Sequence, residues 1–257
     1  MTAGDGAAKK RVSSSPMGRL QDKVCLVTGG ASGIGLATTK AFAREGGIVV
    51  LADLDEAAGR EVVGGLGEPA SFLALDVTDE AAWETGIAQV VARYGRLDVL
   101  VNNAGILSGT DVVSTTMEEW RRVMAVNADG PFLGCKHAVA AMAEVGGGSI
   151  VNVASMASYS GAPPLVAYAA SKAVVRSLTQ TTAVYCMDQR NGVRCNSVHP
   201  GPIATPMTGL QSGQELPGLG AAGAPEDVAN GILYLASDEA RHVNGTALVI
   251  DNAITAR

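Results

Sequence analysis

Three side chains in the second half of the chain have the types and spacing needed to move a proton to or from one substrate atom. Ser155 supplies a hydroxyl, Tyr168 a phenol and Lys172 an ammonium. If the stretch from Val166 is helical, Tyr168 and Lys172 lie at i and i+4 on one helix face. A phenol with an ordinary pKa of ~10 is a poor base at neutral pH. A neighbouring ammonium favours the phenolate and lowers that pKa, so the pattern predicts a general base for a hydroxyl substrate.

The same residues have plainer interpretations. A tyrosine and a lysine one turn apart also occur where an amphipathic helix carries a tyrosine at its buried edge. Ser155 could be an ordinary hydroxyl at a strand end, and Ser158 is a rival close to it in sequence. The spacing to Tyr168 favours Ser155. The chemistry therefore depends on the elements that surround these residues.

A glycine-rich turn near the amino end has the surroundings of a dinucleotide-binding site. Lys23–Thr28 is typical of a buried strand, Gly29–Gly35 is the turn, and apolar residues at helical spacing continue until Gly46. A strand, a glycine turn and a helix in this order are what the fingerprint requires. The glycines let the backbone approach a pyrophosphate, and the helix N-terminus offers free N–H groups. A glycine cluster alone would be a weak signal, but this context favours nucleotide binding.

A carboxylate at the end of the second predicted strand indicates which dinucleotide is bound. Asp53 follows the apolar run Gly47–Ala52, eighteen residues after Gly35. At that position a carboxylate can accept hydrogen bonds from a ribose diol and would repel a 2′-phosphate. The glycine turn contains no lysine or arginine, and the first one after Asp53 is Arg60. The pattern favours NAD over NADP. The alternative, a helix cap, suits Asp55 better.

Strand-like and helical runs alternate from Leu20 onward. Beyond the two strands above, the strand-like runs are Phe72–Leu75, Leu97–Val101, Ser149–Ala154, Val193–Val198 and Ala247–Ile250. Seven strands with intervening helices predict an α/β, single-domain Rossmann fold with a doubly wound, seven-stranded parallel sheet and helices on both faces. We expect residues 19–257 to form this catalytic domain. Residues 1–18 are rich in Gly, Ala and Ser and predict a disordered, solvated arm, with a basic docking arm as the alternative.

Composition excludes several other classes of protein. A chain of 257 residues can bury one sizeable core, and 47% hydrophobic with 17% charged residues suits a sheet covered on both faces. The net charge of −6 argues against nucleic acid or an anionic membrane as partner. No apolar run approaches the ~18 residues of a membrane span, and no signal-peptide core is present. The four cysteines show neither metal-ligand spacing nor a disulfide framework. We expect a cytoplasmic protein without a metal.

Taken together, these motifs resemble the short-chain dehydrogenase/reductase family from about Leu20 to near the C-terminus. No single motif is decisive, but the ordered set is specific. The residues that carry the resemblance are Thr28–Gly35 as T-G-x-x-x-G-x-G, Asp76-Val77, Asn102–Gly105 as N-N-A-G, Asn127, the set Ser155, Tyr168 and Lys172, and Pro200-Gly201 with Ile203 and Thr205.

The resemblance implies hydride transfer between NAD and a secondary alcohol or ketone. Tyr168 would exchange the proton, Ser155 would bind the substrate oxygen, Lys172 would also bind the nicotinamide ribose, and Asn127 would anchor a water that relays the proton. Asn127 could instead only mark a helix kink, and His199 is expected to be structural or pocket-lining. The expected cofactor-binding residues are Gly29, Ser32, Gly33, Ile34, Gly35, Asp53, Leu54, Asp76, Val77, Asn103, Ala104, Gly105, Tyr168, Lys172, Pro200, Gly201, Ile203 and Thr205.

Apolar residues near the catalytic set predict the substrate class. The expected substrate-binding residues are Ser155, Met156, Leu165, Tyr168 and Met207. A mostly apolar wall suits an alicyclic or steroid-like alcohol or ketone, although several of these residues could simply pack the core. Short motifs, including the ending Ile250–Ile254, resemble bacterial 3β/17β-hydroxysteroid dehydrogenases. The stretch from Thr205 to Pro225 is short for a substrate lid in this family.

Two other functions are compatible with the same motifs. A reductase of 3-oxoacyl thioesters would share the fold but would ordinarily use NADPH, which Asp53 disfavours. A non-catalytic dinucleotide-binding scaffold would usually lack the tyrosine or lysine, and both are present. The family resemblance also implies a homotetramer whose interface uses the helices after strands four and five, where Ala138, Met142, Val174 and Ala183 lie at helical spacing.

Overall fold

Apolar, largely β-branched runs form the strands, and every residue of the first strand is buried. Runs of this kind suit a parallel sheet that is covered on both faces. The structure, a computed structural model, describes residues 18–256. Its strands are β1 (Val24–Thr28), β2 (Ile48–Asp53), β3 (Ser71–Ala74), β4 (Val99–Asn102), β5 (Gly148–Val153), β6 (Val193–Pro200), β7 (Glu215–Leu216), β8 (Gly220–Ala221) and β9 (Ala247–Ile250).

Seven of these strands form one parallel sheet in the order β3-β2-β1-β4-β5-β6-β9. β1 pairs with β2 on one side and with β4 on the other, so the strand order reverses beside β1. In doubly wound sheets, ligands bind at the carboxyl ends of the strands beside such a reversal. β7 and β8 form a separate antiparallel hairpin.

Helices cover both faces of the sheet. They are α1 (Gly33–Arg44), α2 (Glu56–Leu66), α3 (Glu80–Tyr94), α4 (Met117–Met124), α5 (Gly130–Glu144), α6 (Val166–Gln189) and α7 (Pro225–Ala236). α1 and α7 share one buried apolar cluster with the sheet. α3, α5 and α6 share a second cluster on the opposite face. The predicted α/β fold with a doubly wound, seven-stranded parallel sheet is confirmed.

Element boundaries differ from the predictions by one or two residues. Leu75 and Leu97 were expected in strands, but both lie just outside the hydrogen-bonded strands although they are buried. Hydrophobicity reports burial rather than pairing, so apolar runs overshoot strand ends. Asp55 is the N-cap of α2, where its carboxylate accepts a hydrogen bond from the Ala58 N–H at 3.0 Å. This role for Asp55 was predicted and is confirmed.

The remaining sequence predictions concern the chain ends, the cysteines and metals. Of the predicted disordered arm, only Gly18 falls within the described residues. All four cysteines are buried free thiols. Between residues 18 and 256, no helix is long and apolar enough to cross a membrane. In the same part of the chain, no group of three or more His, Cys, Asp or Glu side chains is placed to hold a metal ion.

Candidate active site

A cavity of about 320 Å³ opens at the carboxyl ends of β1, β2, β4, β5 and β6. The sheet brings together there loops that are far apart in the sequence. Of the predicted cofactor- and substrate-binding residues, those on its wall are Gly29, Ser32, Gly33, Ile34, Asp53, Leu54, Asp76, Val77, Asn103, Ala104, Gly105, Ser155, Tyr168, Lys172, Pro200, Gly201, Ile203, Thr205 and Met207. One cavity therefore contains most of the predicted cofactor residues and three of the four predicted catalytic residues.

Four of the predicted site residues lie outside this wall. Gly35 is in the first turn of α1, where a Cβ atom would collide with the Gly29 carbonyl oxygen; its contribution is close packing. Asn127 is fully buried behind the cavity. Met156 and Leu165 lie in short 3₁₀ turns. Neither residue lines the cavity, because each lies in a short turn between β5 and α6, and their contact with a substrate stays a prediction.

The proposed catalytic side chains converge from β5 and α6. Ser155 follows the end of β5, while Tyr168 and Lys172 stand one turn apart on α6. The Lys172 Nζ atom lies 5.6 Å from the Tyr168 ring centroid. It donates a hydrogen bond to the Val153 carbonyl at 2.8 Å. The predicted i, i+4 arrangement is confirmed, and α6 extends seventeen residues beyond Lys172.

The pKa pattern in this cluster differs from the sequence prediction. Burial raises the pKa of the Tyr168 phenol, and the adjacent Ser155 hydroxyl acts in the opposite direction. Burial also lowers the pKa of Lys172 to about 8. In the chain alone, the group that lowers the Tyr168 pKa is therefore Ser155 rather than Lys172. The Lys172 ammonium is desolvated and directed to a backbone carbonyl, so it does not pair with the phenol oxygen.

Asn127 connects the helix before α5 to the loop after β4. It lies in a π-helical segment, Ala125–Asp129, a distortion that often marks functional sites. Its Oδ1 accepts from the Ile106 N–H at 2.8 Å, and its Nδ2 donates to the Ile106 carbonyl at 2.9 Å. Nδ2 also lies 3.2 Å from Ser171 Oγ, which donates to the Tyr168 carbonyl at 2.7 Å. Asn127 thus marks a helix distortion and also buttresses Tyr168.

The glycine turn has the geometry that a phosphate group requires. Gly29 and Gly33 have φ values of 61° and 51°, a region that favours glycine. Among the described residues, no acceptor pairs with the N–H groups of Gly33, Ile34 or Gly35. Three free amides at a helix N-terminus provide an anion site. The residues present therefore fit the pyrophosphate of a dinucleotide.

Asp53 lies on the wall of the same cavity as the glycine turn, at the end of β2. Its Oδ2 accepts from the Ala31 N–H at 3.0 Å, and its Oδ1 accepts from the Asp55 N–H at 3.1 Å. These bonds fix the carboxylate and leave lone pairs free on both oxygens. Among the described residues that line the cavity, Asp53 and Asp76 are acidic and Lys172 alone is basic. Arg60 lies elsewhere, paired with Glu56 and stacked on the Phe72 ring.

The structure adds wall residues that sequence reasoning missed. Apart from Thr208 they are apolar, and several directly precede or follow a predicted site residue, which was the available signal. They are Leu75, Ile106, Val126, Val153, Ala154, Pro206 and Thr208. Ser158, the rival to Ser155, does not line the cavity. The stretch from Thr205 contains the β7–β8 hairpin and no helix before α7 begins at Pro225.

A doubly wound sheet with a glycine turn, a carboxylate at the end of the second strand and a Ser-Tyr-Lys cluster defines a dinucleotide-dependent oxidoreductase. A sequence profile described as Enoyl-(Acyl carrier protein) reductase matches residues 29–255. The chain is 42% identical over 247 residues to a 3-beta-hydroxysteroid dehydrogenase of Comamonas testosteroni, covering 92% of this chain and 97% of the relative. It is 45% identical over 251 residues to a cyclopentanol dehydrogenase of the same species, covering 93% and 100%.

Solved structures agree with these sequence matches. A Burkholderia xenovorans protein assigned to the short-chain dehydrogenases/reductases superposes with a TM-score of 0.85 at 38% identity, covering 93% of this chain and 99% of that one. The chain belongs to the short-chain dehydrogenase/reductase family. It is an oxidoreductase that acts on CH–OH groups and uses a nicotinamide dinucleotide.

Proposed function

We propose that the protein is an NAD-dependent dehydrogenase that interconverts an apolar alicyclic or steroid-like secondary alcohol and its ketone. The observation that carries this proposal is the position of Ser155, Tyr168 and Lys172 on the wall of a largely apolar cavity. The cofactor, when bound, supplies the hydride acceptor or donor. The protein supplies position, a proton acceptor and the exclusion of water.

The catalytic roles follow from the position of each group. Tyr168, as phenolate, takes the hydroxyl proton of the alcohol, and the adjacent Ser155 hydroxyl hydrogen-bonds the same oxygen. Burial raises the Tyr168 pKa, so the bound cofactor and Lys172 must favour the phenolate in the working enzyme. Lys172 also holds the nicotinamide ribose. Asn127 supports the water that returns the proton to solvent through Lys172.

Asp53 supports NAD as the cofactor. A ribose diol can donate to the free lone pairs of its carboxylate, whereas a 2′-phosphate would bring a second negative charge to it. No basic residue of the described cavity wall other than Lys172 could neutralise that phosphate. The expected cofactor contacts are the predicted wall residues in the glycine turn and at the ends of β2, β3, β4 and β6, together with Tyr168 and Lys172 of α6.

The apolar wall supports the substrate class. Ile106, Val153, Ala154 and Met207 offer hydrocarbon surface beside the catalytic cluster. Burying alicyclic carbons there contributes about 25 cal/mol per Å². A substrate carboxylate would find no cation besides Lys172 among the described wall residues and would be costly to desolvate. Relatives named for a hydroxysteroid and for cyclopentanol act on substrates of the kind this wall would accept.

Two alternatives predict different results. A 3-oxoacyl thioester reductase would have the same catalytic groups but would prefer NADPH, against the charge at Asp53. A non-catalytic dinucleotide-binding protein would not need Ser155, Tyr168 and Lys172 on one wall. A comparison of kcat/KM with NAD and with NADP tests the first alternative, and any measurable turnover rules out the second.

The test is a screen of secondary alcohols with NAD and with NADP, in which the reaction is monitored by the absorbance of the NADH or NADPH formed. We expect kcat/KM for a cyclic or steroidal alcohol to exceed that for a short hydroxy acid, and expect kcat/KM to be higher with NAD than with NADP. Tyr168→Phe is the matched control, because it removes the proton acceptor, keeps the ring and should still bind NADH. A tenfold preference for the hydroxy acid would contradict the substrate assignment. Activity retained in Tyr168→Phe would contradict the catalytic one.

We also propose a homotetramer in the cytoplasm. Ala138, Met142 and Ala183, which were expected at the interface, are buried within the subunit core, so they do not support it. The outer side of α6 does, because it exposes Val174, Val184, Tyr185 and Met187, a set of large apolar side chains that suits an interface. Light scattering at micromolar concentration should give the mass of four chains, and a monomer would refute this prediction.

The cysteines support the proposed location in the cytoplasm, because buried free thiols suit a reducing compartment.

A further inference from the structure

His199 is a fully buried histidine directly behind Ser155, and the roles above do not use it. It lies near the end of β6 and shows no exposed surface. Its Nδ1 lies 3.2 Å from the Ser155 carbonyl oxygen and 2.9 Å from Ser158 Oγ. Its Nε2 lies 2.8 Å from Ser197 Oγ. Both ring nitrogens therefore have polar partners. The partners of Nδ1 lie in the turn after β5, and the partner of Nε2 lies on β6.

The partners determine which nitrogen carries the proton. A carbonyl oxygen can only accept, so the contact with Ser155 requires Nδ1–H. Burial lowers the pKa of His199 to about 4, so the ring is neutral at neutral pH and Nε2 must accept from the Ser197 hydroxyl. The backbone and the serine hydroxyls thus fix one tautomer.

The Ser155 carbonyl receives further donors from the turn that follows it. The Ser158 N–H donates to it at 3.0 Å, and the Ser158 hydroxyl donates to it at 2.7 Å. With His199 Nδ1–H, these bonds hold the backbone of Ser155 in its extended conformation, φ −168° and ψ 157°. The Ser155 side chain then projects towards Tyr168, on whose pKa its hydroxyl acts.

Packing keeps the imidazole in this orientation. The Tyr159 ring lies 4.9 Å from the His199 ring, centroid to centroid. The Arg176 guanidinium stacks 4.0 Å from the Tyr159 ring centroid. Arg176 is one turn after Lys172 on α6, so the helix that carries the catalytic pair also secures the ring.

We propose that His199 is a positioning residue, whose Nδ1–H acts with Ser158 to hold the Ser155 carbonyl and so keep the Ser155 hydroxyl aligned with the substrate oxygen and Tyr168. This inference rests on the proposed roles of Ser155 and Tyr168. It assigns to His199 no contact with substrate or cofactor.

Two substitutions separate the two sides of the ring. The side-chain amide of His199→Asn lies at the Nδ1 position and can still donate to the Ser155 carbonyl. The amide of His199→Gln reaches the Nε2 position and serves only Ser197. In His199→Asn the Ser197 hydroxyl can turn to the Thr246 carbonyl, which lies 3.4 Å away. The pair therefore tests the bond to Ser155 in a matched way.

We expect His199→Asn to keep most of the kcat. His199→Gln and Ser158→Ala should each lower kcat about tenfold, the factor that one ordinary hydrogen bond supplies, with little change in NADH binding. The pH profile of kcat should also move to higher pH in these two variants, because a displaced Ser155 hydroxyl lowers the Tyr168 pKa less. Equal loss in His199→Asn and His199→Gln, or loss of thermal stability without loss of kcat, would overturn the proposal.

A second readout needs no turnover and so separates this proposal from the proposed function. Tyrosinate absorbance is titrated in the protein and in its Tyr168→Phe variant, and the difference reports the Tyr168 phenol. The same difference is measured in the His199→Gln background and in the His199→Asn background. We expect a higher Tyr168 pKa with His199→Gln than with His199→Asn. Equal pKa values in the two backgrounds would overturn the role of His199 even if no alcohol is oxidised.

Discussion

Replacing Asp53 by alanine should weaken NAD binding and narrow the preference for NAD over NADP. Two backbone N–H groups occupy one lone pair on each carboxylate oxygen of Asp53, which leaves each oxygen free to accept from a ribose hydroxyl. Hydrogen bonds to a charged group contribute about 1.5–3 kcal/mol each, and partial replacement by water reduces the total loss to about 2–3 kcal/mol. The Kd for NAD should therefore rise about 30- to 150-fold.

The effect on NADP should have the opposite sign. The carboxylate is half-buried at the cavity edge, so removing it relieves a screened repulsion of about 1 kcal/mol on the 2′-phosphate. Together the two changes should narrow the ratio of kcat/KM values for the two cofactors by at least about 100-fold. The assay is initial-rate kinetics with each cofactor, with Kd values from quenching of protein fluorescence.

Asp55→Ala is the matched control for this prediction. It removes the same charge two residues away, but the Asp55 carboxylate caps α2 by accepting from the Ala58 N–H and does not line the cavity. It should lower the free energy of unfolding by about 1 kcal/mol and leave the cofactor ratio unchanged. Equal use of both cofactors by the unmodified protein would refute the reasoning. So would an equal effect of the two substitutions, since net charge rather than position would then decide.

Replacing Lys172 by methionine should abolish activity yet raise the free energy of unfolding of the ligand-free protein at pH 7. Burial lowers the pKa of Lys172 from 10.5 to about 8. At about 1.4 kcal/mol per pKa unit, burying the charged ammonium costs ~3 kcal/mol of folding free energy. The variant gains this amount less the contribution of the hydrogen bond to the Val153 carbonyl, which it loses. From pH 8 to 10.5 the unfolded chain keeps a proton that the folded chain has released, so the stability of the unmodified protein rises and the advantage of the variant shrinks; urea titrations at both ends of this range measure it. Gly134→Ala should lower the free energy of unfolding by about 1–3 kcal/mol, because the new Cβ would collide with Asn102 Oδ1 and lie 2.9 Å from Trp83 Cη2. Gly64→Ala, in α2 with no atom within 4 Å of the new Cβ, should raise it by about 0.5–1 kcal/mol; thermal unfolding that ranks the two variants alike would contradict the packing account.

Local patterns in the sequence determined much of the fold and part of the site. The run from Lys23 through the glycine turn predicted a strand, a phosphate-binding turn and a helix, because each depends on residues close together in the chain. The i, i+4 spacing placed Tyr168 beside Lys172 for the same reason. The position of Asp53 at the end of the second strand predicted that it lies at the carboxyl end of the sheet, where parallel strands end together.

Tertiary packing decided what depends on residues far apart in the sequence. The meeting of Ser155 with Tyr168 requires the end of β5 and the start of α6 to lie at the same edge of the sheet. The 3₁₀ turn after Ser155 takes Met156 out of the cavity, and no periodicity in that short stretch signals it. The sign of the Tyr168 pKa shift depends on how completely the folded chain removes water from the phenol. His199 acquires its partners Ser155 and Ser158 only when β6 packs against the turn after β5, so its sequence neighbours alone did not reveal them.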